Sequence, residues 1–220
     1  MSNLLKLPTT TPTTLTLYTS ISETEYEQLQ TIGNLTCDEK NLHVCVNEDE
    51  ETFRLPYQFM ASKLRNKCPS KLIYPKWAYL TYNGQNKKFP KSVFRSGEKW
   101  FYLLKIQKPE KEVLLSDIDL YTICLNKDKI CQNQKEADEF YNKVDKYELE
   151  IYNIFSAEND INPKALELRK EIIESWDWIF DINNTNDYMV YKNKTIQAVF
   201  WELRKEDVLC CKKYKNKGRV

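Results

Sequence analysis

Apolar and polar positions along the chain follow two periods, and the change from one to the other marks the elements. "LTLYTS", residues 15–20, alternates apolar and polar residues, with β-branched and aromatic members, and predicts a strand. In "SETEYEQLQTIGN" the period lengthens: Tyr26, Leu29 and Ile32 share a helical face, Ser22 with Glu25 forms a capping box, and Gly33 supplies the stop. "LHVCV" reads as a further short strand, and "NEDEE" places acids at the start of a helix over about residues 51–66, whose stripe is Phe53, Tyr57, Met60 and Leu64. "KWAYLTY" alternates again, with Trp77, Tyr79 and Thr81 on one face and Ala78, Leu80 and Tyr82 on the other. Aromatic residues on both faces mean that both are covered, or that one is lent to a ligand.

"WFYLLKIQ" and "EVLLS" predict two more strands, the second running into "SDIDLYTICLN". Asn133 with Glu136 opens a helix carrying Phe140, Val144, Tyr147 and Ile151, and Asn162 before Pro163 opens another. The latter bears Leu166, Ile172, Ile173, Trp176, Ile179 and Phe180, too many large side chains to face water, so it packs on the sheet. "TIQAVFWEL", residues 195–203, reads as one long strand, "RKED" as a turn, and "VLCCKKY" as a last strand or short helix. Strands outnumber crossover helices, and helices gather between residues 134 and 180. The expected class is α+β, a central, mostly antiparallel mixed sheet with helices packed against it. Residues 1–14 form a Thr/Pro-rich lead-in, 15–214 a single α+β domain and 215–220 a basic tail.

Composition narrows the chemistry. A chain of 220 residues buries a sizeable core, and 33 Lys and Arg against 32 Asp and Glu leave no overall field to attract nucleic acid. Such a partner needs a local patch. Four glycines (33, 84, 97, 218) exclude both a Gly-rich dinucleotide loop and a P-loop, so a bound nucleotide must be held by side chains and by ordinary helix or strand ends. The single histidine, His43, lies among alternating apolar neighbours and reads as a strand residue rather than a general base. Seven cysteines at 37, 45, 68, 124, 131, 210 and 211 lack paired spacing and read as reduced thiols. The start has no basic head or apolar run of signal-peptide length, and no stretch reaches the roughly 18 apolar residues of a membrane span. A cytoplasmic location without a membrane partner is expected.

Several charged groups remain candidates. Asp117 and Asp119 share a face if "SDIDLY" is extended, where they would meet one metal ion or proton; the helix-cap reading of Ser116 and Asp117 is preferred, and no metal is expected. The basic loop "NGQNKKFPKSVFRSGE" sets Lys87, Lys88, Lys91 and Arg95 beside Phe89 and Phe94, which suits a solvated hairpin connection or contact with phosphate and bases. The basic end reads as a solvated tail.

Together, "LYTSISETEYEQLQTIGNL", "LPYQFMASKLRNK", "YPKWAYLTY", "EVLLSDIDLYTICLN", "SWDWIF" and "TIQAVFWELRKEDV" resemble, in this order, the bacterial domain-of-unknown-function family 3841 over residues 15–209. The resemblance implies no activity. The arrangement of an opening "LY" strand, a short helix ending in Gly and a late strand with a polar residue before a turn and a valine is similar to the frame of NAD-dependent ADP-ribosyltransferases. That similarity implies NAD as cofactor, an Arg or His on the first strand and a Glu on the late one; Thr19 and Gln197 stand there instead. On this reading Tyr18, Tyr57 and Trp77 stack on base or nicotinamide rings, Arg95 pairs with phosphate, Gln197 holds a ribose hydroxyl, and Thr19 and Gln197 occupy the catalytic positions.

An amide is a poor substitute for a carboxylate beside an oxocarbenium-like centre, since losing one such group costs about 10² to 10³ in rate. By strict alternation Glu202 falls on the opposite face from Gln197 and does not replace it. Gln197 thus has two readings: a cleft residue facing Tyr18, or the polar beginning of a core strand. The functional alternatives are an NAD-using ADP-ribosyltransferase-like protein or its nucleotide-binding relative, and a noncatalytic module for nucleic acid or a protein.

Overall fold

Ser22 and Glu25 form the capping box their spacing predicts: each side chain accepts from the other residue's backbone N–H, both at 3.0 Å. The helix they start, α1 (Glu23–Ile32), stops at Gly33, whose φ of 93° is left-handed backbone that favours glycine. The computed structural model describes residues 13–38, 50–64, 72–86, 99–184, 188 and 193–215. The strand reading of "LHVCV", His43, most of the acidic run, the basic loop from residue 87 with Arg95, and the tail from 216 lie outside the described residues.

The strands are β1 (Thr14–Ser22), β2 (Asn34–Asp38), β3 (Leu72–Tyr74), β4 (Lys76–Thr81), β5 (Trp100–Pro109), β6 (Leu114–Asp117), β7 (Ile196–Phe200), β8 (Glu202–Arg204) and β9 (Val208–Lys215). Six of them form one sheet in the order β6-β7-β4-β1-β5-β9, and β3-β2-β8 form a smaller one. The α+β class is as expected. Every pairing among the described strands is antiparallel, so the sheet is not mixed.

The other α-helices among the described residues are α2 (Glu50–Lys63), α3 (Ile118–Leu125), α4 (Gln134–Lys146) and α5 (Pro163–Ser175). Short polar side chains start three of them. Asp117 Oδ1 accepts from the Asp119 and Leu120 amides, Asn133 Oδ1 from Glu136, and Asn162 Oδ1 from Lys164 and Ala165. On α5 the buried stripe is Ala165, Leu168 and Ile172, whereas Leu166 is 45% exposed. No described helix is long and apolar enough to cross a membrane.

Pairing divides the six-stranded sheet into two faces, because residues directly opposite one another point the same way. The Leu17 face, with Ala78, Leu104, Ala198 and Phe200, packs on Leu29 of α1, Leu35 of β2 and Leu203 of β8. Among the described residues, the helical layer covers the Tyr18 face at one end. There Trp77, Leu114 and Val199 meet Met60, Leu120, Tyr121, Phe140, Ile172 and Trp176 of the helical layer. Beyond it Tyr18, Tyr79, Leu103 and Tyr214 surround Phe101.

Two irregularities change the sequence reading. A register shift between Tyr79 and Thr81 on β4 reverses the alternation, so Tyr82 packs with Phe101 and Tyr18 rather than beside Leu80. "TIQAVFWEL" is not one strand: the chain bends at Trp201 and passes from the large sheet to the small one. Trp201 enters the helical core while Phe200 and Leu203 both enter the core of the Leu17 face, an arrangement that unbroken alternation cannot produce.

Candidate functional site

Cross-strand registers bring the two ends of the chain into one row. Tyr18 is opposite Tyr79, Tyr79 opposite Gln197, and Gln197 opposite Ser116, so all four share a face. Tyr18 and Gln197 are therefore two strands apart, about 10 Å at the usual spacing, with the Tyr79 ring between them. Gln197 is 4% exposed, and its Nε2 donates to Ser116 Oγ at 3.0 Å. The amide oxygen accepts no hydrogen bond from a described residue.

Thr19 does not join it. One residue along an extended strand from Tyr18, it lies on the Leu17 face, 8% exposed, with Oγ1 donating to the Trp77 carbonyl at 2.7 Å. The residues at the two catalytic positions of the ADP-ribosyltransferase-like reading thus point to opposite sides of the sheet. Glu202 is no substitute. It lies on β8, where Oε1 accepts from Asn34 Nδ2 at 2.6 Å and Oε2 from Arg204 Nε at 2.9 Å.

Tyr57 and Trp77 do come together. α2 presents Tyr57 to β4, with ring centroids 5.6 Å apart, and Trp77 meets Tyr121 of α3 at 5.3 Å. Tyr57 and Trp77 are each half-buried. Tyr121 is 2% exposed, and its hydroxyl is the one buried side-chain polar atom without a hydrogen-bond partner among the described residues. Burial, reinforced by the nearby Tyr57 and Cys124, pushes its pKa far up, so it remains a neutral phenol able to donate one hydrogen bond and accept others.

Sequence reasoning missed Tyr121. The signal was available: a tyrosine next to Leu120 on a short, strongly apolar helix takes a hydroxyl into the core, where it needs a partner.

Asp117 is 1% exposed and occupied as the cap of α3, with Lys194 Nζ 3.6 Å from Oδ2. Burial and then the charge of Asp117 raise the pKa of Asp119. Ser116 does not take part in the cap; it bonds Gln197. No cluster of three or more His, Cys, Asp or Glu suited to a metal occurs among the described residues. A surface hollow of about 450 Å³ between Phe53, Leu125, Tyr152 and Phe155 includes no residue of the sheet row.

The family model described as "Domain of unknown function (DUF3841)" matches residues 16–209, and the chain belongs to that family. No curated protein and no solved structure matches it.

Proposed function

We propose that the domain binds a planar heteroaromatic ring of the nucleobase or nicotinamide class, as part of a nucleotide such as NAD, and does not turn it over. The Tyr121 hydroxyl carries the reading. A buried phenol without a partner costs about 1 to 3 kcal/mol, and a ring nitrogen, carbonyl or amino group of a ligand would satisfy it. Tyr57 and Trp77 supply ring surface beside it, and the Gln197 amide oxygen, on the same sheet face as Trp77, supplies a second polar contact.

What surrounds these residues supports the reading of binding without turnover. Gln197 provides a dipole and not a charge, its amide nitrogen is committed to Ser116, Thr19 faces away, and Glu202 is held in the other sheet.

Thermal unfolding and calorimetry with NAD, ADP-ribose, adenosine and nicotinamide test this. At about 100 times its Kd a ligand adds about 2.7 kcal/mol to the folded state. At least one should raise the unfolding temperature of the parent chain and lose affinity for Tyr121→Phe. If none binds, or if Tyr121→Phe binds equally well, the reading is wrong.

A further inference from the structure

We propose that the hollow of about 450 Å³ at the C-terminal end of α3 is a ligand site for a small aromatic carboxylate, independent of the ring site at Trp77. Its volume is that of a small-molecule pocket, for which about 300 to 1,000 Å³ is usual. Three segments build it. α2 supplies Phe53, α3 ends at it with Leu125 and continues into Lys127, and the turns between α4 and α5 supply Ile151, Tyr152 and Phe155.

Rings make much of the wall. Tyr152 is 74% exposed, and Phe53 and Phe155 are half-buried. Phe155 is held by Arg169 of α5, whose guanidinium lies 5.6 Å from the ring centroid. Arg169 Nε donates to the Ile154 carbonyl at 2.6 Å and Nη2 to the Ser156 carbonyl at 2.9 Å, so both neighbours of Phe155 are fixed. A wall set in place before the ligand arrives lowers the ordering cost of binding.

Charge selects the ligand. The described residues lining the hollow include no Asp or Glu, and Lys127, half-buried, makes no ion pair with a described residue. The other polar side chains of the lining are committed: Asn126 Nδ2 donates to the Thr122 carbonyl at 3.0 Å, and the Ser156 hydroxyl is shared between the Asn153 carbonyl at 2.8 Å and Glu158 at 3.2 Å. Acids next to the lining in sequence are engaged as well. Asp128 accepts from the Tyr141 hydroxyl at 3.0 Å, and Glu150 from the Tyr152 hydroxyl. Lys127 also has a φ of 56°, left-handed backbone one residue beyond the cap of α3, where glycine is the usual occupant. A lysine in that place brings a cation to a hollow whose other polar groups are taken. One cation among rings matches a monoanion with a planar apolar body. A phosphate dianion would need more donors than one lysine supplies, and an aliphatic acid would leave the ring faces without a stacking partner.

Equilibrium dialysis of the full chain with indole-3-acetate, indole-3-acetamide and tryptamine tests the site. A hydrogen bond to a charged group changes affinity by about 10- to 150-fold, so the amide should bind more weakly than the acid by that factor, and the cationic amine not at all. Lys127→Gln should weaken the acid to the same extent. Lys127→Gly should do so while keeping or raising the unfolding temperature, because glycine relaxes the left-handed backbone. Phe53→Leu keeps the wall apolar without its ring and should weaken binding by about 2- to 12-fold. Tyr121→Phe should leave the affinity unchanged, which separates this hollow from the ring site. The proposal is overturned if the acid does not bind, if the amide or the amine binds as tightly, if Lys127→Gln keeps the parent affinity, or if Tyr121→Phe abolishes binding.

Discussion

Gln197 and Ser116 face each other across β7 and β6, and the glutamine amide donates to the serine hydroxyl at 3.0 Å in a place where the two residues are 4% and 0% exposed. The polar residue in an otherwise apolar strand is thus neither a frayed strand end nor a group aimed at bulk water. It fixes the register of β6, a four-residue edge strand, against β7. Its amide oxygen is left over on the face that Tyr79 and Trp77 share.

Gln197→Leu should destabilise the fold by about 1 to 3 kcal/mol, because Ser116 keeps a buried hydroxyl without its donor. Adding Ser116→Ala should return part of that loss, since both partners are then apolar. A double-mutant cycle by urea unfolding measures the coupling. Equal and additive losses would mean that the bond contributes nothing.

Tyr121→Phe removes a buried hydroxyl that has no partner and should stabilise the unliganded protein, by up to about 1 to 3 kcal/mol. A substitution that gains stability while losing ligand affinity is the expected signature of a binding group. The same denaturation curves, run with and without ligand, separate the two effects.

Lys108 is 1% exposed on β5, with its ammonium 2.9 Å from Asp207, 3.1 Å from the Glu202 carbonyl and 5.3 Å from the Phe200 ring centroid. This joins β5 of the large sheet to β8 and the turn before β9. Lys108→Met keeps the volume and leaves the buried Asp207 without its cation, at an expected cost of about 3 to 5 kcal/mol. Lys108→Met with Asp207→Asn should be more stable than the single variant, as chemical denaturation would report.

Asp119 binds its proton more tightly in the folded than in the unfolded chain, through burial first and the Asp117 charge second. Its contribution to stability is therefore complete below the ordinary aspartate value of 3.8 and lost as pH rises through the higher folded value. Asp119→Asn should be more stable than the parent at neutral pH, and the difference should shrink as pH falls below that window. Unfolding free energies measured across the acid range decide it, and a difference constant with pH would refute it.

The local elements were legible because their causes lie within a few residues. Ser22 with Glu25, Gly33, Asn133 and Asn162 announce their helix ends by hydrogen bonds that span two to four positions. The alternation of β1 likewise gave a strand directly. Reading failed where one residue altered the period. The shift at Leu80 moved Tyr82 to the other face, and the bend at Trp201 split a strand between two sheets.

The site was less legible than the fold. Tyr57 and Trp77 stand out in the sequence by their rings, and only the docking of α2 on β4 puts them 5.6 Å apart. Thr19 stands out by its place beside Tyr18, and that adjacency is what sends it to the opposite face. Tyr121 went unseen because a missing hydrogen bond is a property of everything around a group.

The sequence by itself determined the α+β class, most element boundaries and the capping chemistry, since periodicity and caps are set by neighbours in the chain. Tertiary structure alone decided which distant side chains share a face. Ser116, Gln197, Tyr79 and Tyr18 form one row only because strands far apart in sequence pair in a particular register, and moving a register by one residue would turn every side chain of that strand to the other side.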